Sequence, residues 1–361
     1  MHRQEETPGK QFENYINKFI DEKNEIDELE IVFGGGNLTR IDFENVIKKL
    51  KSLGFYCTTP AGIYHLNIQN HFTDVETGRT KISAIRTTIS GIDAIQKYCN
   101  DNTINPESPF VTFMQKFQKR DNTTPMRPIR FNDFGFNVNY KEEKKLPKHF
   151  RNIVSLVGEW GRSKKIFRLL KRFTFANRYF PVMIDCSIVR SSRRRGNYLE
   201  PESNIKRSGV FSNPETYEIE IELNPLSIPT IVKPEDDKII KMDVLTKVRQ
   251  TIKFVLSGIQ ETNYPISCKE QGNIINEYMS VLNKKSLGGR VTNRDFVGPS
   301  SISLERANIV PIDPDATVAN IRTSYTITEK ADGIRKLLFV SRNGNIYLID
   351  VNMRVQFTGC K

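Results

Sequence analysis

The sequence has no apolar run near the ~20 residues that a helical bilayer span requires. Its opening, MHRQEETPGKQ, holds no apolar core of a secretory signal, so none is expected. Cysteine is sparse. Cys57, Cys99, Cys186, Cys268 and Cys360 are scattered without CxxC or CxH spacing. That argues against a disulfide framework and a zinc site, and it fits a reducing compartment. Internal repeats and low-complexity tracts are also missing. Acidic residues are the minority sign, 42 against 54 Lys and Arg, leaving a net charge of +12. Such an excess favours polyanionic partners through long-range attraction.

What is present suggests two domains. The 361 residues are 38% hydrophobic, enough for sizeable cores. Residues 8–23 have helical spacing of apolar positions. A short strand, ELEIVFGGG, follows, and Thr39 caps a helix that has Asp42 in its first turn and Gly54 past its end. From about 60 to 225, short β-rich runs separated by turn residues predict a barrel or sandwich. Residues 191–209, SSRRRGNYLEPESNIKRSG, read as a basic hairpin end. Helices return at 234–260 and 267–283. A second sheet is expected from about 321, with TSYTIT and GIRKLLFVSR as strands, a turn at Asp332-Gly333 and another at Asn343-Gly344. The proline-rich stretch at 226–233 sets the expected boundary, with domains at 1–228 and 229–361.

Alternate residues of a strand share a face. In Tyr217-Glu218-Ile219-Glu220-Ile221-Glu222-Leu223, three glutamates therefore line one side. Glu28 and Glu30 share a face in ELEIV. Two such strands facing each other offer oxygen ligands to a hard dication, Mg²⁺ or Mn²⁺. Basic residues occupy similar places: Arg168 and Arg172 share a face with Leu170, and Arg86 lies in an alternating strand. Lys141 pairs with Glu143, and Asp185 with Ser187. An eight-stranded barrel is just wide enough inside for side chains or one small ligand, and this charge pattern suits a metal-bound triphosphate.

Glu-x-Glu in the first strand with Glu-x-Glu-x-Glu in the last resembles the triphosphate tunnel metalloenzymes, and most closely the RNA triphosphatase domain of fungal and viral capping enzymes. The resemblance covers roughly residues 25–225. It implies an α+β protein with an antiparallel eight-stranded tunnel and flanking helices. It implies metal ligands at Glu28, Glu30, Glu218, Glu220 and Glu222, and phosphate-binding at Arg86, Lys116, Lys141, Arg168, Arg172 and Ser187. Glu143 and Asp185 are implied as catalytic, with Asp185 and Ser187 positioning a basic residue or the attacking water. Leu170 departs from the pattern, since a basic residue is expected between the two arginines; Lys171 replaces it only if the register shifts. Val32 departs from the cyclase branch, which carries Lys in Glu-x-Glu-x-Lys.

Lys330-Ala331-Asp332-Gly333-Ile334-Arg335 fits Lys-x-Asp-Gly-x-Arg. It resembles the nucleophile motif of covalent nucleotidyltransferases, implying Lys330 as catalytic and nucleotide-binding, with Asp332, Gly333 and Arg335 at the nucleotide. The lysine amine attacks an α-phosphate only when neutral. FVGPSSISLE, at 296–305, resembles the Phe-x-Gly-Pro segment ahead of that lysine in viral capping enzymes. A triphosphatase followed by a guanylyltransferase is the order in the multifunctional mRNA capping enzymes of large DNA viruses. The expected partners are 5′-triphosphate RNA, GTP and viral transcription machinery, with no membrane, in a viral factory or virion. An Asp-Gly-Glu segment, a late Lys-x-Lys and an OB-fold are missing, so the chain is expected to be the N-terminal part of a longer polypeptide. Two alternatives stay open: a polynucleotide ligase fragment carrying AMP on Lys330, and a non-catalytic RNA-binding module.

Overall fold

The computed structural model describes residues 6–22, 24–34, 38–73, 78–196, 198–228, 234–282, 291–298, 303–311, 318, 320–323, 325–326, 329 and 332–361. They fall into two compact units, 1–265 and 266–361.

Eight antiparallel strands organise the first unit: β1 (Asp27–Phe33), β2 (Ile63–Thr73), β3 (Thr80–Ser90), β4 (Val111–Gln118), β5 (Phe136–Lys145), β6 (Lys165–Ala176), β7 (Val182–Ser191) and β8 (Thr216–Leu223). Around the ring the order is β1-β8-β7-β6-β2-β3-β4-β5. β5 pairs again with β1, and the sheet closes. Short strands Tyr56–Cys57 and Ile129–Phe131 pair with β6 and β5 at the margins.

The barrel has its apolar side outward. Ile219, Ile221 and Leu223 of β8 and Leu29, Ile31 and Phe33 of β1 are buried on the outer face. The helices that cover this surface are α1 (Pro8–Glu22), α2 (Arg40–Ser52), α3 (Ile92–Asp101), α4 (Arg151–Gly158) and α5 (Pro234–Gln260). α1, α2 and α5 share one core with β1, β5, β7 and β8. α3 and α4 place Ile95, Tyr98 and Ile153 against Leu66, Ile68, Ile89 and Phe113 of β2 to β4. Each buried Ile, Leu or Phe contributes roughly 1.5–3 kcal/mol. This outer packing offsets the cost of a charged interior.

α2 begins as its sequence predicts. The Asp42 amide donates to Thr39 Oγ1 at 3.2 Å, and the Thr39 amide donates to Asp42 Oδ2 at 2.9 Å, a reciprocal capping box. α5 crosses α2 at Gly258, where an added Cβ would lie 2.6 Å from Val46 Cα. Only glycine permits that approach. Val244, Val248 and Val255 of α5 complete the same core. The first unit therefore runs through residue 265, past the sequence-based boundary at 228. The proline-rich stretch leads into a helix that packs back on the barrel.

In the second unit, α6 (Cys268–Val281) is capped by Ser267, whose Oγ accepts from the Glu270 amide at 3.1 Å. The strands are β9 (Lys336–Val340), β10 (Ile346–Asp350) and β11 (Val355–Phe357). Tyr347, Ile349 and Val355 pack with Ile274, Tyr278 and Met279 of α6. The Asn343-Gly344 turn joins β9 to β10, with Gly344 at φ +81°. Asp332 and Gly333 lie outside strands and β9 starts only at Lys336, while much of the strand expected ahead of them falls outside the described residues. The described residues of TSYTIT are likewise not in a strand. Lys330 and Ala331 lie outside the described residues.

Candidate active site

Inside the barrel is a cavity of about 440 Å³. Its walls carry six carboxylates (Glu28, Glu30, Glu143, Glu218, Glu220, Glu222) and five cations (Arg86, Lys116, Lys145, Arg168, Arg172). A second chamber of about 240 Å³ shares Asn67, Arg86, Lys116 and Arg168 with the first. Strand register builds the arrangement. Glu30 stands opposite Glu222, and Glu220 opposite Val32 and Asp185. Arg172 faces Ser187, and Lys116 faces Glu143.

Most of these charges are paired. Lys116 Nζ lies 2.7 Å from Glu28, 3.4 Å from Glu143 and 3.9 Å from Glu30. Lys141 is ion-paired with Glu30, which also accepts from Asn139 Nδ2 at 3.1 Å. Arg86 meets Glu143 at 2.6 Å, and Arg168 meets Glu218 at 2.7 Å. Arg172 is held from three sides: Asp185 at 2.8 Å, Glu220 at 3.2 Å and Ser187 Oγ at 3.2 Å. Thr174 Oγ1 donates to Asp185 at 2.6 Å and fixes that carboxylate.

Among the carboxylates Glu222 is the exception. It has no ion-pair or hydrogen-bond partner among the described residues. Burial, then repulsion from Glu28 and Asp185, pushes its carboxyl up to about 7. Burial also raises Glu28, with Lys116 opposing and Glu30 and Glu143 adding. Glu220 is raised by burial against the pull of Arg172. For Lys116, burial works downward, but Glu28, Glu30 and Glu143 outweigh it and the amine is raised.

Among the described residues, no three His, Cys, Asp or Glu side chains are already gathered as a metal-holding group. The donor chemistry nevertheless fits a hard dication. All candidates are carboxylates on adjoining strands, and the ammonium groups of Lys116 and Lys141 stand where positive charge is required. Glu222 is short of a cation altogether. Glu28, Glu30, Glu220 and Glu222 would hold such an ion.

Thus Glu28, Glu30, Arg86, Lys116, Glu143, Arg168, Arg172, Glu218, Glu220 and Glu222 all line one cavity. Lys141, Asp185 and Ser187 join through Glu30 and Arg172. Leu170 lines the cavity too, and Lys171 does not replace it. Lys171 stands outside, over the Tyr64 ring at 5.3 Å and the Phe173 ring at 5.4 Å. Opposite Leu170, on β2, is His65, whose Nδ1 is 3.0 Å from Ser90 Oγ. His65, Asn67, Thr88, Ser90, Thr112 and Lys145 were missed by sequence reasoning. Their signal was the alternation in YHLNI and IRTTIS, where His65, Asn67, Arg86, Thr88 and Ser90 fall on inward positions. In the second unit, the Arg335 guanidinium lies 4.7 Å over Phe296 and donates to the Gly298 carbonyl at 3.2 Å. Asp332 and Gly333 are exposed.

A closed antiparallel eight-stranded barrel with paired cations and carboxylates inside is the architecture of a triphosphate tunnel. Over 158 residues the chain is 31% identical to the probable mRNA-capping enzyme of Acanthamoeba polyphaga mimivirus. That match covers 44% of this chain but only 12% of the viral protein. No family model matches the chain. Among solved structures, the mimivirus capping enzyme triphosphatase is 16% identical, covering 65% of this chain and 94% of that one at a TM-score of 0.39. The Pct1 RNA triphosphatase of S. pombe is 12% identical, covering 69% and 91% at a TM-score of 0.37. At such scores the fold assignment rests on the strand register itself.

Proposed function

We propose that the barrel unit is a divalent-cation-dependent RNA 5′-triphosphatase acting in mRNA capping. The observation that carries this reading is the tunnel's inner face, where carboxylates from β1 and β8 confront cations from β3, β4 and β6. Similarity to a viral capping enzyme over part of the chain supports the same reading. A dication held by the glutamates would neutralise charge on the phosphates during transfer. With those glutamates occupied, Lys116 and Lys141, and Arg172 on its Glu220 side, would be free to bind phosphate oxygens. Asp185 and Ser187 keep Arg172 aimed, and Glu143 keeps Arg86 aimed, which is positioning by fixed charges. Water attacks the γ-phosphorus, the bond to the β-phosphate oxygen breaks, and that oxygen leaves with the electron pair. Glu143, beside both Arg86 and Lys116, orients the water and takes its proton. The test is phosphate release from triphosphate-ended RNA with and without Mg²⁺ or Mn²⁺, in wild type, Glu28→Ala and Glu220→Ala.

For the second unit the proposal is the start of a guanylyltransferase that accepts GMP from GTP on Lys330 in a longer polypeptide. The contact of Arg335 with the Phe296–Gly298 segment supports it, because both belong to motif segments. Incubating a longer version with labelled GTP and with labelled ATP tests it, since a ligase would label with ATP.

A further inference from the structure

The tunnel is not symmetric along its length. The smaller chamber is lined by Asn67, Gln69, Ala84, Arg86, Lys116, Ile166 and Arg168, three cations and no carboxylate. All six carboxylates face the larger chamber. Ile166 lies at the start of β6, Gln69 in the C-terminal half of β2 and Ala84 in the N-terminal half of β3, so the smaller chamber lies toward one end of the barrel. β7 finishes at that same end, with Ser191 opposite Arg168.

The chain leaves β7 there and forms the basic hairpin seen in the sequence. The Ser192 amide donates to the Phe167 carbonyl at 2.8 Å, and the Glu200 amide to the Arg193 carbonyl at 2.7 Å. Arg194 pairs with Leu199 and Arg195 with Tyr198. Arg193, Arg194, Arg195, Lys206 and Arg207 are exposed, and Tyr198 is 79% exposed. Arg194 and Arg195 make no ion pair among the described residues, whereas Arg86, Lys116, Arg168 and Arg172 inside the tunnel are all committed to carboxylates. Glu200 and Glu202 are the stretch's acidic residues, and both are half-buried.

Unpaired guanidinium groups beside an exposed aromatic ring suit a single-stranded nucleic acid: phosphates meet the arginines and a base stacks on the ring. A polyanion is repelled by a carboxylate-lined end and drawn to a cation-lined one. We propose that the RNA lies across the hairpin at the smaller-chamber end, with Arg194 and Arg195 on its phosphates and a base on Tyr198. Its triphosphate then points inward, toward the glutamates. This rests on the triphosphatase reading and adds the direction of the substrate and the surface that holds its body.

The test is the Kd of a short triphosphate-ended RNA, read by fluorescence anisotropy across salt concentrations, alongside hydrolysis of inorganic triphosphate. For Arg194→Ala/Arg195→Ala the Kd rises about tenfold, and the slope of log K against log salt becomes shallower by about 1.4. Tyr198→Ala raises Kd about fivefold or more. Hydrolysis of inorganic triphosphate, too short to reach the hairpin, keeps its wild-type kcat/KM in these variants. Unchanged RNA Kd and salt slope in both variants would overturn the proposal. So would a larger loss from Lys144→Ala, an exposed lysine at the opposite end of the barrel. A wild-type protein that binds RNA through this hairpin but releases no phosphate contradicts the triphosphatase reading alone.

Discussion

Lys116 and Lys119 lie three residues apart, and each sits among three carboxylates. Lys116 faces the tunnel and meets Glu28, Glu30 and Glu143. Lys119 faces outward and meets Glu22, Asp27 and Glu142 at 2.7, 2.9 and 3.2 Å. The difference is the cover. Lys119 is sealed by α1, which brings Glu22, and by Tyr140, whose hydroxyl donates to Asp27 at 2.7 Å. Its side chain is 6% exposed, against 27% for Lys116. A sealed ionic knot joins a helix to a barrel. An open one leaves both its carboxylates and its cation facing the cavity.

The largest expected effect is on the open side. Glu28→Ala or Glu220→Ala reduces phosphate release by roughly 10²–10³-fold, the scale of losing one preorganised electrostatic group. Near-wild-type release in both variants would break the comparison from the functional side.

Next comes the sealed side. Lys119→Met leaves Asp27 buried without its cation, a change that costs on the order of 3–5 kcal/mol. Thermal unfolding shows it as a lowered Tm that Mg²⁺ does not restore. Lys116→Met lowers Tm less, and Mg²⁺ narrows its deficit. Equal responses to Mg²⁺ would erase the distinction between the two lysines.

A smaller effect concerns pH. With its carboxyl raised from 4.5 to about 7, Glu222 favours the fold in its protonated form. That contribution is fully present below about pH 4.5 and is lost as pH rises through about 7. In metal-free protein, Glu222→Gln therefore flattens the fall in Tm across this window. An unchanged pH–Tm curve would show that Glu222 is not the strained carboxylate. The smallest effect is expected in the second unit. Arg335→Ala removes an exposed cation–π contact of about 0.5–1 kcal/mol and leaves phosphate release unchanged.

The sequence showed most of the tunnel because charged residues on alternating positions are conspicuous. Glu218, Glu220 and Glu222 interleave with Ile219, Ile221 and Leu223, and a half-buried strand with such a face is either solvated or lines a polar interior. The second Glu-x-Glu and the arginines decided between those. His65, Asn67, Thr88 and Ser90 escaped because neutral polar residues on alternating positions look like any solvent-facing strand. Their spacing puts Lys116 and Lys119 on opposite faces, but that Lys119 is the sealed one depends on α1, distant in sequence. The boundary at 228 misled for a similar reason: proline signals a break in the chain, while the contact of Gly258 with Val46 is long-range. Asp332-Gly333 carried a strong turn signature, yet among the described residues no strand directly precedes it and β9 begins only at Lys336.

The central claim is that the open carboxylates of β1 and β8 work through a dication on a 5′ triphosphate. The most direct measurement is γ-phosphate release from triphosphate-ended RNA by this chain, titrated with Mg²⁺ or Mn²⁺, in wild type and Glu28→Ala. The account predicts release that requires the metal and falls at least about 10²-fold in the variant. Metal-independent release, or equal release by the two proteins, would contradict it.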